Sequence, residues 1–358
     1  MQGVPANPEG WLVTTARNIR KNVARGSAVR RRAEPEMLRR IEEAADRPDP
    51  SPLADDRLRL MFVCAHPAIE PAVRTPLILQ TVLGIDAARI ASAFLTPPAT
   101  MSQRLVRAKA RIRDAGLSFV VPEADELAPR LEAVLDAIYA AFGAGWDGLD
   151  TAEDPTALTG EAIWLARLLV EQLPGEPEPM GLLALMLYCA ARRRARRDEA
   201  GRFVPLDRQD ARLWDRNMVI EAEKLLTLAA QAGRFGRFQC EAAIQSVHIQ
   251  RPITGRLSLS ALRMLYDLLV DRTGSLGARI GRAVVLAEDG QPAAALEELD
   301  ALPRDRVARY QPWWVARARV AALAGDDALR RECLRHAISL TDDPAVKDFL
   351  EAQSLEPG

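Results

Sequence analysis

A run of polar and basic side chains between Thr100 and Arg113 has the types and spacing needed to hydrogen-bond DNA. Five basic residues lie from Arg104 to Arg113, and no acidic residue occurs between Asp86 and Asp114. At about 100° per residue in an α-helix, one polar, cationic face collects Thr100, Gln103, Arg104, Arg107 and Arg111. Arginine can form two hydrogen bonds with guanine, and glutamine can do so with adenine. The pattern therefore predicts a helix that enters the DNA major groove.

Within this helix, we expect Arg104 and Arg107 to contact bases. The remaining basic residues, expected nearer phosphates, are Lys109, Arg111 and Arg113. The opposite face is apolar and suited to burial, with Met101, Leu105, Ala108 and Ile112. An ordinary amphipathic surface helix is the alternative, and it is the commoner explanation of a basic helix that stands alone. The elements that precede the helix decide between the two.

A short helix and a proline-marked turn come directly before the basic helix. Asp86 is a typical N-cap residue, because its carboxylate can accept a hydrogen bond from a first-turn amide. The next residues give an apolar stripe at helical spacing, with Ala87, Ile90, Ala91 and Phe94. Thr96-Pro97-Pro98 ends this helix, and Pro98 suits the first turn of the next one. We therefore predict a helix–turn–helix within Ile85–Gly116, which favours DNA binding over the surface helix.

Two further helices are predicted upstream. Leu53–Cys64 has the apolar spacing of a helix that His66-Pro67 closes, with Leu53, Leu58, Met61 and Phe62 facing inward. Pro71–Leu83 should form the next helix. Since a proline inside a helix removes a hydrogen bond and costs about 3 kcal/mol, we expect either a bend at Pro76 or a helix that begins near it.

The segments DDRLRLMFVCAHPAI (Asp55–Ile69) and FLTPPATMSQRLVRAKARIRDAG (Phe94–Gly116) carry a resemblance to a known family. Asp55–Phe119 resembles region 4 of the extracytoplasmic-function sigma factors of the sigma-70 family, in the subgroup with a long helical C-terminal extension. In that family, this domain reads the upstream (−35) promoter element while the protein is bound to core RNA polymerase. The resemblance implies a transcription initiation factor whose partners are promoter DNA and core RNA polymerase. The matching DNA-binding positions are Thr100, Gln103, Arg104, Arg107 and Arg111.

The N-terminal segment resembles only the end of sigma region 2, over Asn7–Asn18. The earlier helices of region 2, which bind polymerase and melt DNA in that family, have no counterpart in this sequence. We therefore expect that the chain as given does not melt a promoter alone. Arg17–Arg32 contains seven basic residues and no acidic one, which is typical of either a phosphate-binding arm or a solvated linker. Pro48–Pro52 is a stiff spacer that marks a boundary.

These patterns divide the chain into three predicted domains. Residues 1–50 are the region 2 remnant with its linker, residues 51–121 the helix–turn–helix domain, and residues 122–358 an α-helical extension. The helices predicted in the extension are Leu127–Phe142, Thr159–Gln172, Pro179–Arg197, Asp207–Ala232, Arg237–His248, Ser258–Asp271, Gly277–Glu288, Pro292–Leu302, Trp313–Leu323 and Ala328–Leu340. The last four form two hairpins with glycine turns and resemble tetratricopeptide repeats. Such hairpins stack into a curved solenoid, which could bind a protein or peptide partner.

Three groups in the chain allow two interpretations each. The run Arg192–Arg197 could bind nucleic acid, but a solvated basic end of a helix is the favoured interpretation. Tyr310, Trp313 and Trp314 could line a peptide groove, but aromatic residues at this spacing are more often part of a core. Cys64 and His66 could suggest metal or thiol chemistry, but two residues do not make a coordination sphere, so a structural role is favoured.

Composition bounds the remaining possibilities. The chain has 358 residues, 48% hydrophobic and 27% charged, with a net charge of −1, so nucleic-acid binding must depend on a local cluster. The longest apolar run, Gly181–Ala191, is too short to cross a bilayer, and the four cysteines form no CxxC pair. No phosphate loop, dinucleotide fingerprint, metal motif or nucleophile elbow occurs. We expect an all-α, cytoplasmic protein that is not an enzyme, needs no metal or cofactor and has no membrane partner.

A second hypothesis comes from a different class of protein. The helical repeats could be the functional part of a protein-interaction scaffold, with the DNA motif residual or auxiliary. A DNA-binding regulator without sigma activity belongs to the same alternative. DNA binding and polymerase binding are the properties that separate these hypotheses.

Overall fold

The structure is a computed structural model that describes residue 53 and residues 55–114, 122–147 and 155–355. All of them belong to one compact unit, Pro52–Gly358. These residues form 16 α-helices and three short 3-10 helices, and no strand occurs among them. The predicted all-α fold class is therefore confirmed. The expectations for residues 1–50, including the region 2 remnant, the basic arm and the spacer, lie outside the described residues.

Four helices form the N-terminal part of the described chain: α1 (Asp56–Cys64), α2 (Pro71–Thr81), α3 (Ala87–Ala93) and α4 (Pro98–Asp114). The Asp55 carboxylate starts α1 by accepting hydrogen bonds from the Arg57 and Leu58 amides. The four residues predicted to face inward are all fully buried: Leu53, Leu58, Met61 and Phe62. Helical spacing of apolar residues thus identified the buried face of α1 correctly, but the helix begins at Asp56, so Leu53 is buried just before it.

The helix predicted over Pro71–Leu83 is present, and a start near Pro76, one of the two outcomes expected at that proline, is not observed. α2 begins at Pro71, in the first turn where a missing N–H costs nothing, and it continues through Pro76 to Thr81. Pro76 is buried, as are its neighbours Leu77 and Ile78. Packing of this apolar stretch against the rest of the core outweighs the local cost of the proline.

Five helices follow in the middle of the chain: α5 (Ala124–Asp147), α6 (Pro155–Gln172), α7 (Pro177–Ala191), α8 (Arg216–Gln231) and α9 (Arg237–Thr254). α7 is apolar on nearly every side, because it packs against α6, α8 and α9. Glu178 in its first turn accepts hydrogen bonds from the Phe238 and Gln239 amides. A carboxylate of α7 therefore caps the N-terminus of α9, whose own N-cap residue is Gly236.

Seven helices complete the described chain: α10 (Leu259–Thr273), α11 (Leu276–Glu288), α12 (Pro292–Asp300), α13 (Arg304–Val307), α14 (Gln311–Leu323), α15 (Asp327–Ser339) and α16 (Pro344–Leu355). α11 with α12, and α14 with α15, form the two predicted hairpins. Their turns contain Gly290 and Gly325, both with φ in the left-handed region. Trp313 and Trp314 are buried and donate their indole N–H groups to backbone carbonyls, which confirms the core interpretation.

Two predictions between α7 and α8 were wrong. The helix expected from Asp207 begins only at Arg216, with Asp215 as its N-cap, and 3-10 turns occupy Leu206–Arg208 and Ala211–Leu213. The favoured interpretation of Arg192–Arg197 as a solvated helix end also fails, because α7 stops at Ala191. Arg192 is 8% exposed and donates to Gln245 at 2.6 Å, and Arg197 pairs with Asp343.

The hydrophobic core is continuous across the predicted boundary at residues 121 and 122. One buried cluster contains residues of α1 to α4, such as Phe62, Ile78 and Leu105, together with residues of α5 to α9, such as Leu135 and Leu185. A second cluster fills α11 to α16, and a third joins α9, α10 and α11. The division into domains at residue 121 stays a prediction.

Candidate nucleic-acid interface

A tight turn between α3 and α4 sets the direction of α4. The Asp86 carboxylate caps α3 as predicted, by accepting from the Ala88 and Arg89 amides. At the other end of α3, Thr96 N–H donates to Ala91 O and Leu95 N–H donates to Ser92 O. This is the Schellman pattern of hydrogen bonds, with Leu95 at φ 50° in the position that glycine usually fills. Thr96 and Pro97 then lead directly into α4.

One face of α4 anchors it to the protein. Met101 and Leu105 are 1% and 2% exposed, and the partly buried Ile112 packs against the same core. Ala108, predicted on this face, is also partly buried. The buried face therefore matches the predicted one, and it fixes which residues of the helix remain accessible.

The predicted DNA-binding side chains of α4 are accessible to solvent. Thr100 is half-buried, and the exposed ones are Gln103, Arg104, Arg107, Lys109 and Arg111. The backbone of Arg113 belongs to α4, but its side chain lies outside the described part of the structure. A helix with one buried apolar face and an exposed basic one is therefore present where the sequence predicted it.

Three of the predicted arginines lie together. Arg104, Arg107 and Arg111 line one side of a groove of about 470 Å³ beside α4. Its other side is formed by Ala68–Val73, the loop before α2 with the first turn of that helix. Three guanidinium groups and the Glu70 carboxylate therefore contribute charge to the walls of this groove, with cations in excess.

Lys109 lies on another flank of α4. Burial raises the pKa of the Cys64 thiol in α1, and the Thr81 hydroxyl and the Lys109 ammonium each offset part of that rise. The ammonium group therefore acts on the Cys64 thiol, and Lys109 is not among the residues that line the groove of Arg104, Arg107 and Arg111. As a result, cations are present on both flanks of the exposed face.

Four cations of α4 have no carboxylate partner in the described part of the chain. Neither an ion pair nor a hydrogen bond is formed there by Arg104, Arg107, Lys109 or Arg111. Elsewhere, many arginines are neutralised: Arg237 lies 2.8 Å from both Asp136 and Glu241. A local positive potential therefore remains on α4, although the net charge of the chain is −1.

The elements behind α4 are held by α5. Thr75 of α2 donates to Ala133 O at 3.4 Å, and the buried Arg130 lies 3.4 Å from Phe62 O of α1. A second connection reaches α6, where Glu161 lies 2.8 Å from Arg57. These contacts join the helix–turn–helix to the extension, so the platform that presents α4 includes both.

Sequence reasoning missed two features of this surface. Val106, an apolar residue on α4, is 67% exposed. Glu70 lines the groove opposite the arginines. A helical wheel could have placed Val106 away from the apolar face, whereas the position of Glu70 depends on how α2 packs beside α4.

Other kinds of site receive no support from the geometry. Among residues 55–114, 122–147 and 155–355, no group of three His, Cys, Asp or Glu side chains could hold a metal ion. Within the same ranges, no helix has both the length and the apolar character required to cross a membrane.

Comparison with known proteins places the chain in a family. Residues 130–230, from α5 to α8, match a family described as being of unknown function (DUF6596). An uncharacterised protein of Rhizobium meliloti (strain 1021) is 35% identical over 357 residues, which cover 98% of this chain and 84% of that protein. No solved structure matches the chain. The similarity extends over α1 to α16, so this chain belongs to the same protein family as the Rhizobium meliloti protein.

Proposed function

We propose that this protein is a sigma-type transcription initiation factor that binds promoter DNA through α4 and recruits core RNA polymerase. One observation carries the proposal: α4 presents four exposed cations with no carboxylate partner within the described residues, on a helix whose opposite face is buried. The preceding helix α3 is capped at both ends, and the turn that follows it sets the direction of α4. The sigma region 4 resemblance of Asp55–Phe119 supplies the identity of the target, the upstream promoter element.

The extension has a supporting role in this proposal. α5 packs against α1, α2 and α3, and the apolar core runs through all of them. The extension therefore supports the DNA-binding helix, and its outer surface remains available for polymerase or for a regulatory protein. A partner that binds the extension and shifts α5 would also shift the helices behind α4. We therefore expect such a partner to change DNA binding by α4.

A salt-dependent gel-shift assay with the full chain tests the DNA-binding part. If the four cations each displace one counterion, the slope of log affinity against log salt should be about −3 to −4. Replacing both Arg104 and Arg107 by alanine should make the slope shallower by about two. Arg335→Ala is the matched control, because Arg335 is exposed on α15, and its slope should equal that of the wild type.

Recruitment of polymerase is tested separately. The full chain should co-purify with core RNA polymerase, and the complex should shift promoter duplexes more strongly than the chain does alone. DNA binding without any association with polymerase would instead indicate a DNA-binding regulator. If the chain binds neither promoter DNA nor core RNA polymerase, the protein-interaction scaffold remains as the hypothesis.

A further inference from the structure

The outermost side of α4 includes an amide and an apolar side chain. At about 100° per residue, the direction opposite the buried Met101 and Leu105 falls at Gln103, with a groove arginine about 40° to one side and Val106 about 60° to the other. Both residues are exposed, and Val106 is 67% exposed. The arginines of the groove and Lys109 lie to either side of this crest, which we define as Gln103 and Val106. The crest is thus an amide and an apolar side chain between two cationic flanks.

A helix in the major groove uses its crest and its flanks differently. The crest faces the base edges, whereas the flanks face the phosphates of the two strands. Cations on both flanks, from Arg111 on one side and Lys109 on the other, suit this placement. Arg104 and Arg107 line the groove beside the crest, and their long side chains can still reach a base at the edge of the site.

The crest chemistry favours A·T base pairs. Thymine is the base that presents a methyl group in the major groove, and apolar side chains recognise it by contact. Glutamine can form two hydrogen bonds with adenine, the partner base of thymine. An exposed valine between cationic flanks thus has a complementary apolar group in DNA.

We propose that Val106 is a specificity-determining residue that contacts the C5-methyl group of a thymine in the recognised DNA. This inference rests on the proposed DNA binding by α4 and adds the base class that the crest reads. Removing that methyl group from the DNA should weaken binding about four-fold, the value expected for one buried methyl group.

The test uses the full chain and a duplex obtained by selection from a random library. Each thymine of the selected duplex is replaced in turn by deoxyuridine, which lacks only the C5-methyl group. Wild type should lose about four-fold in affinity at one thymine at least. Val106→Ala, which removes two methyl groups from the crest, should show a loss smaller than about two-fold at the same position.

Controls separate this inference from the proposed function. Met264→Ala removes another side chain that is 67% exposed, on α10, and it should keep the wild-type response to deoxyuridine. Wild type, Val106→Ala and Met264→Ala should have equal thermal unfolding temperatures, because both replaced side chains are exposed. An equal response of wild type and Val106→Ala at every thymine would overturn the inference and leave DNA binding intact. Absence of any duplex binding by wild type would overturn the proposed function and the inference together.

Discussion

An arginine without a carboxylate partner can bind a ligand without first breaking an ion pair, whereas a paired arginine cannot. Arg237 is held between Asp136 and Glu241, so its charge is already neutralised locally. Arg104 has no such partner within the described residues and borders a groove on α4. Binding of an anion or a base edge by Arg104 therefore breaks no internal interaction.

Arg104→Ala should weaken binding to the preferred DNA by about 1–3 kcal/mol and change the sequence preference at one position. The reason is the loss of two hydrogen bonds to a guanine edge. Affinities for a set of single-base variants of the duplex measure both effects. An equal loss on every sequence would instead identify Arg104 as a phosphate contact.

His248 provides a second test at the level of one residue. Burial, together with the positive charges of Arg192 and Arg251, lowers its pKa from 6.5 to about 4. The folded protein therefore keeps the imidazole neutral where the unfolded chain protonates it. The associated stability is complete above about pH 6.5 and falls as the pH decreases towards about 4.

His248→Gln should reduce this pH dependence. Between about pH 7.5 and pH 5, the wild type should lose about 2 kcal/mol of unfolding free energy that the variant does not lose. Urea unfolding of both proteins at the two pH values measures the difference. Equal losses in the two proteins would show that His248 has a similar pKa in the folded and unfolded chains.

Packing of α7 against α9 depends on a glycine. A β-carbon added at Gly181 would lie 2.6 Å from the Gln239 backbone nitrogen and 2.9 Å from the Phe238 carbonyl carbon. Both are backbone atoms, so the contact can be relieved only by separating the helices. The two helices belong to the central cluster of the core, which makes this crossing important for the whole middle of the chain.

Gly181→Ala should destabilise the protein by about 1–3 kcal/mol, because an overpacked helix crossing forces the backbone to shift. Gly160→Ala is the matched control, since Gly160 lies in α6 with no atom within 4 Å of an added β-carbon. That variant should be more stable than wild type by up to about 1 kcal/mol, from helix propensity. Urea unfolding midpoints compare the three proteins.

Local patterns predicted most helices and the faces they bury. Asp86 as an N-cap, the buried set on α1 and the glycine turns of the two hairpins all follow from interactions between near neighbours in sequence. The helix predicted from Asp207 failed for a local reason too. Asp210 and Asp215 each accept hydrogen bonds from following amides, so a 3-10 turn starts after Asp210 and α8 starts only after Asp215.

Interactions between distant residues could not be predicted from one sequence. Arg130 looks like a solvent-facing helix residue, yet it is 2% exposed beside Phe62 O. Arg192 belongs to a basic run but is buried against Gln245. The same limit applies to the candidate site: spacing predicted the basic face of α4, whereas its groove with Ala68–Val73 required the packing of α2.

At the scale of the whole molecule, the shared core joins the helix–turn–helix to α5–α9. Leu131, Leu135 and Ile138 of α5 belong to the same buried cluster as Phe62 and Ile78. Without α5, these side chains of α1 and α2 would be exposed to water, which costs about 25 cal/mol per Å² of apolar surface.

A fragment of residues 52–121 should therefore lack a cooperative unfolding transition. A fragment of residues 52–255, which retains α5–α9, should unfold in one transition, because its core is continuous. Circular dichroism during urea titration measures both. A sharp transition for the shorter fragment, at the midpoint of the longer one, would contradict the structural role of α5.

The unpaired cations on α4 also affect how the molecule approaches a partner. With a net charge of −1, the chain has almost no overall attraction to a polyanion, but its charge is unevenly distributed. A nearby nucleic acid therefore exerts mainly a torque, which rotates the protein until α4 points towards it. Encounters through this face would be oriented before contact.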